Sequence, residues 1–125
     1  MNVRGIRGAT TVEQNDADEI VRASKEMLDK LVSDNDVIPE DISQVWFTVT
    51  PDLNAIFPAK ALRLLEGFQY VPVMCAKEID VPGSLGKCIR VMVTVNTTKA
   101  QEEINHVYLK EAVKLRPDLS LTKRT

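Results

Sequence analysis

Arg90 is the residue whose surroundings demand an explanation. It lies within Cys88-Ile89-Arg90-Val91-Met92-Val93-Thr94-Val95, a run rich in β-branched residues with the period-two alternation of a strand. Ile89, Val91, Val93 and Val95 form one wholly apolar face, and Arg90 shares the other with Cys88, Met92 and Thr94. A guanidinium between Cys and Met on a central strand is costly to desolvate unless an anion meets it. Either a protein carboxylate or a ligand anion must sit there. Glu78, in a loop ahead of this strand, could be the structural ion-pair partner or could accept from a ligand hydroxyl. Arg7 is a second candidate, on an opening strand whose Gly5 and Gly8 suit close approach of another backbone or a ligand. A bulged first strand with a solvated arginine is the plain alternative. Phe57, Lys60 and Arg63 recur every third residue and can share one side of a helix, where a solvated basic face is the usual use. Tyr108 alternates with apolar Val107 and Leu109, so its hydroxyl can face the same cavity as Arg90, or the ring can simply pack on a sheet.

Other chemistries have little support. Gly83-Ser84-Leu85-Gly86-Lys87 superficially suggests a phosphate loop, but the glycine spacing is short and Cys88 and a strand follow the lysine where Ser or Thr and a helix are needed. Cys75, Cys88 and the single His106 make no credible zinc set, and no metal or other cofactor is expected. His106 is placed at the surface. A net charge of -2 and a pI near 5.4 argue against a general nucleic-acid binder, so any cationic site must be local. No run is long enough to span a bilayer, and the opening lacks the apolar core of a signal peptide, so a cytoplasmic home with reduced thiols is the default expectation.

The elements that must position these residues fit one domain of 125 residues, 44% hydrophobic and 27% charged. Val3 to Ala9 reads as strand. A helix starts at Asn15 or Asp16 with acidic residues in its first turn, an apolar stripe through Ile20, Met27, Leu28 and Leu31, and Asp18–Arg22 and Glu26–Lys30 available as ion pairs. Pro39 opens a short turn of helix, and Val45 to Thr50 is a second strand in which Trp46 is assigned to packing. Pro58 opens a short helix ended by Gly67, Phe68 to Val73 is a third strand with Pro72 marking an edge or bulge, and a short helical connection follows near Gln101. His106 to Val113 is the last strand, ahead of a polar tail with no helical stripe, expected to be mobile. The fold class is α/β (α+β): a mixed sheet with one long and one short helix.

Taken in order, Arg4-Gly5-Ile6-Arg7-Gly8-Ala9-Thr10-Thr11-Val12, Thr50-Pro51-Asp52-Leu53, Phe57-Pro58-Ala59-Lys60-Ala61, Lys87-Cys88-Ile89-Arg90-Val91-Met92, His106-Val107-Tyr108-Leu109 and the stretch from Leu115 to Lys123 resemble the small monofunctional chorismate mutases of the type found in Bacillus. The resemblance covers nearly the whole chain. It implies a barrel-like homotrimer with active sites in clefts between subunits, and conversion of chorismate to prephenate in phenylalanine and tyrosine biosynthesis. That rearrangement breaks a carbon–oxygen bond as a carbon–carbon bond forms, and no proton need move. It asks for cations at two carboxylates and at the ether oxygen, and for walls that hold the reactive shape.

The resemblance also implies roles. Arg90 would bind the ether oxygen and a carboxylate, Arg7 the side-chain carboxylate with help from Tyr108, and Glu78 the ring hydroxyl, with Cys75 completing that hydroxyl's contacts. Val73, Met74, Phe57, Ala59 and Leu115 would line the pocket. Lys60, Arg63 and Arg116 would sit near its mouth and attract the dianion, and the tail from 115 to 125 would order over the bound ligand. Met74 stands where the best-known members carry threonine, so it is assigned to lining only. Two other functions compete: a trimeric imine deaminase of similar fold, which also holds a substrate carboxylate with an arginine, and a non-catalytic module that binds chorismate-like diacids.

Overall fold

The computed structural model describes residues 1–115; of the tail assigned to 115–125, all but Leu115 lies outside the described residues, Arg116 included. Five strands form one mixed sheet in the order β3-β2-β4-β1-β5, with β1 Asn2–Thr11, β2 Ile42–Val49, β3 Val73–Lys77, β4 Cys88–Thr97 and β5 Val107–Tyr108. The β-branched run around Arg90 takes the central place. β4 is antiparallel to both neighbours, whereas the β2–β3 and β1–β5 pairs are parallel.

Helix α1, Ala17–Asn35, covers one face of the sheet. Asp16 caps its start by accepting the Glu19 amide, and Glu19 reaches back to accept the amides of Glu13 and Gln14. Its apolar stripe meets the alternate residues of the strands, so Ile20, Met27, Leu28 and Leu31 share a core with Ile6, Val45, Phe47, Ile89, Val91 and Val93. Gly8 lets the helix come this close: a Cβ there would stand 2.9 Å from Val91 Cγ1 and 3.2 Å from Met27 Cγ. At the end of the helix, Asn35 is buried and holds the segment before β5, accepting the Asn105 amide and donating to the Asn105 carbonyl. The ion pairs on α1 are Lys25–Asp29 and Lys30–Asp34 in place of the two expected, and Glu26 lies 3.9 Å from Lys110.

Strands β1, β2 and β4 run a few residues longer than the sequence predicts, and three other elements differ more. Phe68 to Pro72 is a turn, and the third strand, Val73–Lys77, begins where the sequence reading ended it. Phe68 and Val71 are buried and joined by a turn hydrogen bond, so their apolar character anchors the turn. The last strand stops at Tyr108. Lys110 is left-handed at φ +54, and Lys110–Leu115 winds as a 3-10 helix. The short helix after Pro58 is also 3-10 in type, over Pro58–Leu64, with Ala61 and Leu62 buried as its anchoring side.

The sheet's second face is left open by this chain. Cross-strand partners run Met74–Trp46–Met92–Arg7 in one row and Ala76–Thr48–Arg90–Ala9–Tyr108 in the next. Met74 is 60% exposed, Met92 39% and Trp46 38%, so a band of large apolar side chains crosses an uncovered face.

Candidate active site

Arg90 emerges on this open face because its strand neighbours Ile89 and Val91 are committed to the core. Its Nε lies 3.5 Å from Glu78 Oε1. Glu78 is held in turn: its amide donates to the Val49 carbonyl at 2.9 Å, and Thr48, the register partner of Arg90, donates its hydroxyl to Glu78 Oε1 at 2.7 Å. The ion-pair role of Glu78 is thus present, and pairing through one oxygen leaves the group acceptor capacity for something else. A cavity of about 300 Å³ opens beside this pair, and Arg7, Trp46, Tyr108 and Leu115 also line it.

Two polar atoms in the cavity wall are buried with no hydrogen-bond partner among the described residues, Arg90 Nε and the Tyr108 hydroxyl. Buried polar groups are ordinarily paired, so the wall is built for a polar guest. With Arg7 and Arg90 against the single carboxylate of Glu78, the cavity has a surplus of positive charge suited to an anion. Arg7 is held from behind by a residue placed at the surface from the sequence: its amide donates to His106 Nδ1 at 2.9 Å, and His106 is half-buried. Trp46 also departs from the reading. It lines the cavity and donates its indole N–H to Gln44 Oε1 at 3.1 Å.

The remaining candidates lie elsewhere on the chain. Phe57 and Cys75 line a separate groove of about 660 Å³, between the turn after β2 and strand β3. There the Ala59 amide meets the Cys75 thiol, whose pKa is raised by burial and only partly lowered by that amide. Val73 is half-buried at the start of β3, and Met74 follows it on the open face. Lys60 is exposed on the 3-10 helix. Arg63 is exposed too and donates to the carbonyls of Phe68 and Gln69, which secures the following turn. One chain thus holds two partial clusters, Arg7, Glu78, Arg90, Tyr108 and Leu115 on one side and the Phe57–Cys75 groove on another. Thr48 and Trp46 were missed as cavity residues. The period-two alternation of Val45 to Thr50 carried the signal, since it puts both on the face opposite Val45 and Phe47.

The family pattern described as chorismate mutase type I matches residues 3–119. The chain belongs to that family. Chorismate mutase AroH of Bacillus subtilis (strain 168) is 57% identical over 125 residues, which cover 100% of this chain and 98% of that protein. Chorismate mutase AroH of Thermus thermophilus is 48% identical over 118 residues, 94% of this chain and 96% of its own. A solved chorismate mutase from Clostridium thermocellum superposes with a TM-score of 0.84 at 51% identity, covering 87% of this chain and 96% of that one. No described helix is long and apolar enough to cross a membrane.

Proposed function

We infer that this chain is an isomerase that converts chorismate to prephenate, and that Arg90 is its principal catalytic residue. The observation that carries this reading is the cavity where Arg90 Nε, ion-paired with Glu78, and the Tyr108 hydroxyl are buried without hydrogen-bond partners among the described residues. In the substrate, the ether carbon–oxygen bond breaks while a carbon–carbon bond forms between the two arms of the same molecule. Electrons circulate within the substrate, and the protein exchanges neither proton nor electron with it. What remains for the protein is to hold the folded shape and to meet the negative charge that grows on the ether oxygen.

Arg90 meets that oxygen and one carboxylate with its planar fork. Arg7 and the Tyr108 hydroxyl bind the side-chain carboxylate. Glu78, already aimed by Thr48, accepts from the ring hydroxyl. A neighbouring copy completes the site: Phe57, Ala59 and Val73 form the far wall, Cys75 completes the contacts of the ring hydroxyl, Met74 lines without a polar contact, and Lys60 and Arg63 draw in the dianion. A homotrimer with sites between subunits is supported by the apolar band on the open sheet face and by the separation of the two clusters within one chain.

The test is to follow the ultraviolet absorbance of chorismate with the purified protein and to confirm prephenate by acid conversion to phenylpyruvate. Turnover that Arg90→Ala lowers by orders of magnitude, to a residual rate, is the expected result. Binding without turnover would instead favour a diacid-binding module, and absence of binding would direct attention to imine deamination.

A further inference from the structure

The segment Thr50-Pro51-Asp52 follows β2, opposite the start of β4, and it lies outside the Arg90 cavity. Asp52 Oδ1 accepts the Thr50 hydroxyl at 2.6 Å and the Lys87 amide at 3.1 Å, while Oδ2 accepts the same amide at 2.9 Å. Thr50 Oγ1, oriented by this donation, accepts the Cys88 amide at 2.9 Å, and the Thr50 amide donates to the Cys88 carbonyl at 3.1 Å. Lys87 is left-handed at φ +48, and its carbonyl accepts the Val12 amide, which binds the same turn to the end of β1. Gly86 leaves room for the carboxylate, since a Cβ there would stand 2.8 Å from Asp52 Oδ2. The hydrogen bonds of the Asp52 carboxylate thus reach Lys87 directly and Cys88, the first residue of β4, through Thr50, and Arg90 follows Cys88 by two positions on the same face.

We propose that Asp52 is a positioning residue for the rearrangement: through Thr50 it clamps Lys87 and Cys88 and so sets where the Arg90 guanidinium stands against the reacting oxygen. The inference rests on the role assigned to Arg90 above. The two threonines of this edge divide the work, Thr48 orienting Glu78 against the guanidinium and Thr50 anchoring the backbone that carries it. Charge stabilisation depends steeply on placement, and a shift of about 1 Å costs on the order of 10²-fold in rate.

The experiment measures kcat, KM and melting temperature for Asp52→Ala, Thr50→Val and Thr50→Ser, with Asp52→Ala also placed in the Arg90→Ala background. Amide exchange at Lys87 and Cys88 is followed by NMR alongside. The expected result is a fall in kcat of about 10²-fold in Asp52→Ala with little change in KM, faster exchange at the clamped amides, and recovery toward wild type in Thr50→Ser but not in Thr50→Val. In the Arg90→Ala background the same substitution should cost almost nothing more, because the residue it positions is gone. An equal loss in both backgrounds, or a kcat within about threefold of wild type in the folded variant, would reduce Asp52 to a staple of the fold and overturn the proposal. Should Asp52→Ala fail to fold, the Thr50 pair decides. A wild-type protein without turnover defeats the functional reading itself, and the exchange rates then still report whether the clamp holds β4.

Discussion

Thr48 and Arg90 are register partners across β2 and β4, and both reach the same carboxylate oxygen, Glu78 Oε1, at 2.7 and 3.5 Å. The hydrogen-bonding hydroxyl fixes the carboxylate, and the carboxylate balances a guanidinium that would otherwise be isolated on the sheet. Arg90 is thus held in place before any ligand arrives, which, for the role proposed above, is the condition for electrostatic catalysis without reorganisation.

Replacement of Arg90 should therefore strike kcat. Arg90→Ala should lose at least about 2.7 to 4 kcal/mol of transition-state stabilisation, the size associated with one oxyanion donor. Arg90→Lys should fail nearly as badly, because an ammonium cannot span ether oxygen and carboxylate with a planar fork. Steady-state kinetics on chorismate checks both, and near-normal kcat in Arg90→Ala would remove Arg90 from the chemical step.

Thr48→Val keeps the shape of the side chain and deletes the bond to Glu78. One neutral-to-charged hydrogen bond contributes about 1.5 to 3 kcal/mol, and part of that should appear in kcat/KM as the carboxylate loses its orientation toward the ring hydroxyl. Thr48→Ser should retain most of the activity. Equal kinetics for the Val and Ser variants would show that Arg90 alone suffices to aim Glu78.

Met92 lies between Trp46 and Arg7 in the exposed row of the open face. If the proposed homotrimer forms through this band, Met92→Glu places a charge in it and should shift the protein from trimer to monomer in sedimentation while α1 and the core behind it stay folded. Activity should fall with the loss of assembly, since in the proposed arrangement the Phe57–Cys75 wall comes from another copy. A monomer with full turnover would refute the shared-site arrangement.

Burial raises the thiol pKa of Cys75 and of Cys88 above the ordinary 9.0, with the Ala59 amide and the Arg90 charge respectively acting the other way. The folded chain thus keeps these protons to higher pH than the unfolded chain, which ionises first. Their contribution to stability is fully present below about pH 9 and is lost as pH rises through the folded values. Melting temperature should fall above about pH 9, and Cys88→Ala should flatten that fall; an unchanged alkaline limb would exclude the thiols as its source.

Much of this molecule was legible in the residues. The alternation of β4 separates a core face from a polar one whatever the fold, because successive side chains point to opposite sides, and that alone singled out Arg90. The helix was equally plain, since Asp16, the first-turn acids and the stripe from Ile20 to Leu31 agree at every level. Motif by motif, the family resemblance supplied the reaction. Pairings between distant segments were beyond any local signal. That Asp52 serves Lys87, that His106 lies behind Arg7 and that Trp46 lines a cavity all depend on strand order and register, which follow from how separated apolar faces close on one core. The ends of β3 and β5 were misread for the same reason: Phe68, Val71 and Leu109 are apolar in any window, and only packing decides whether such residues extend a strand or pin a turn.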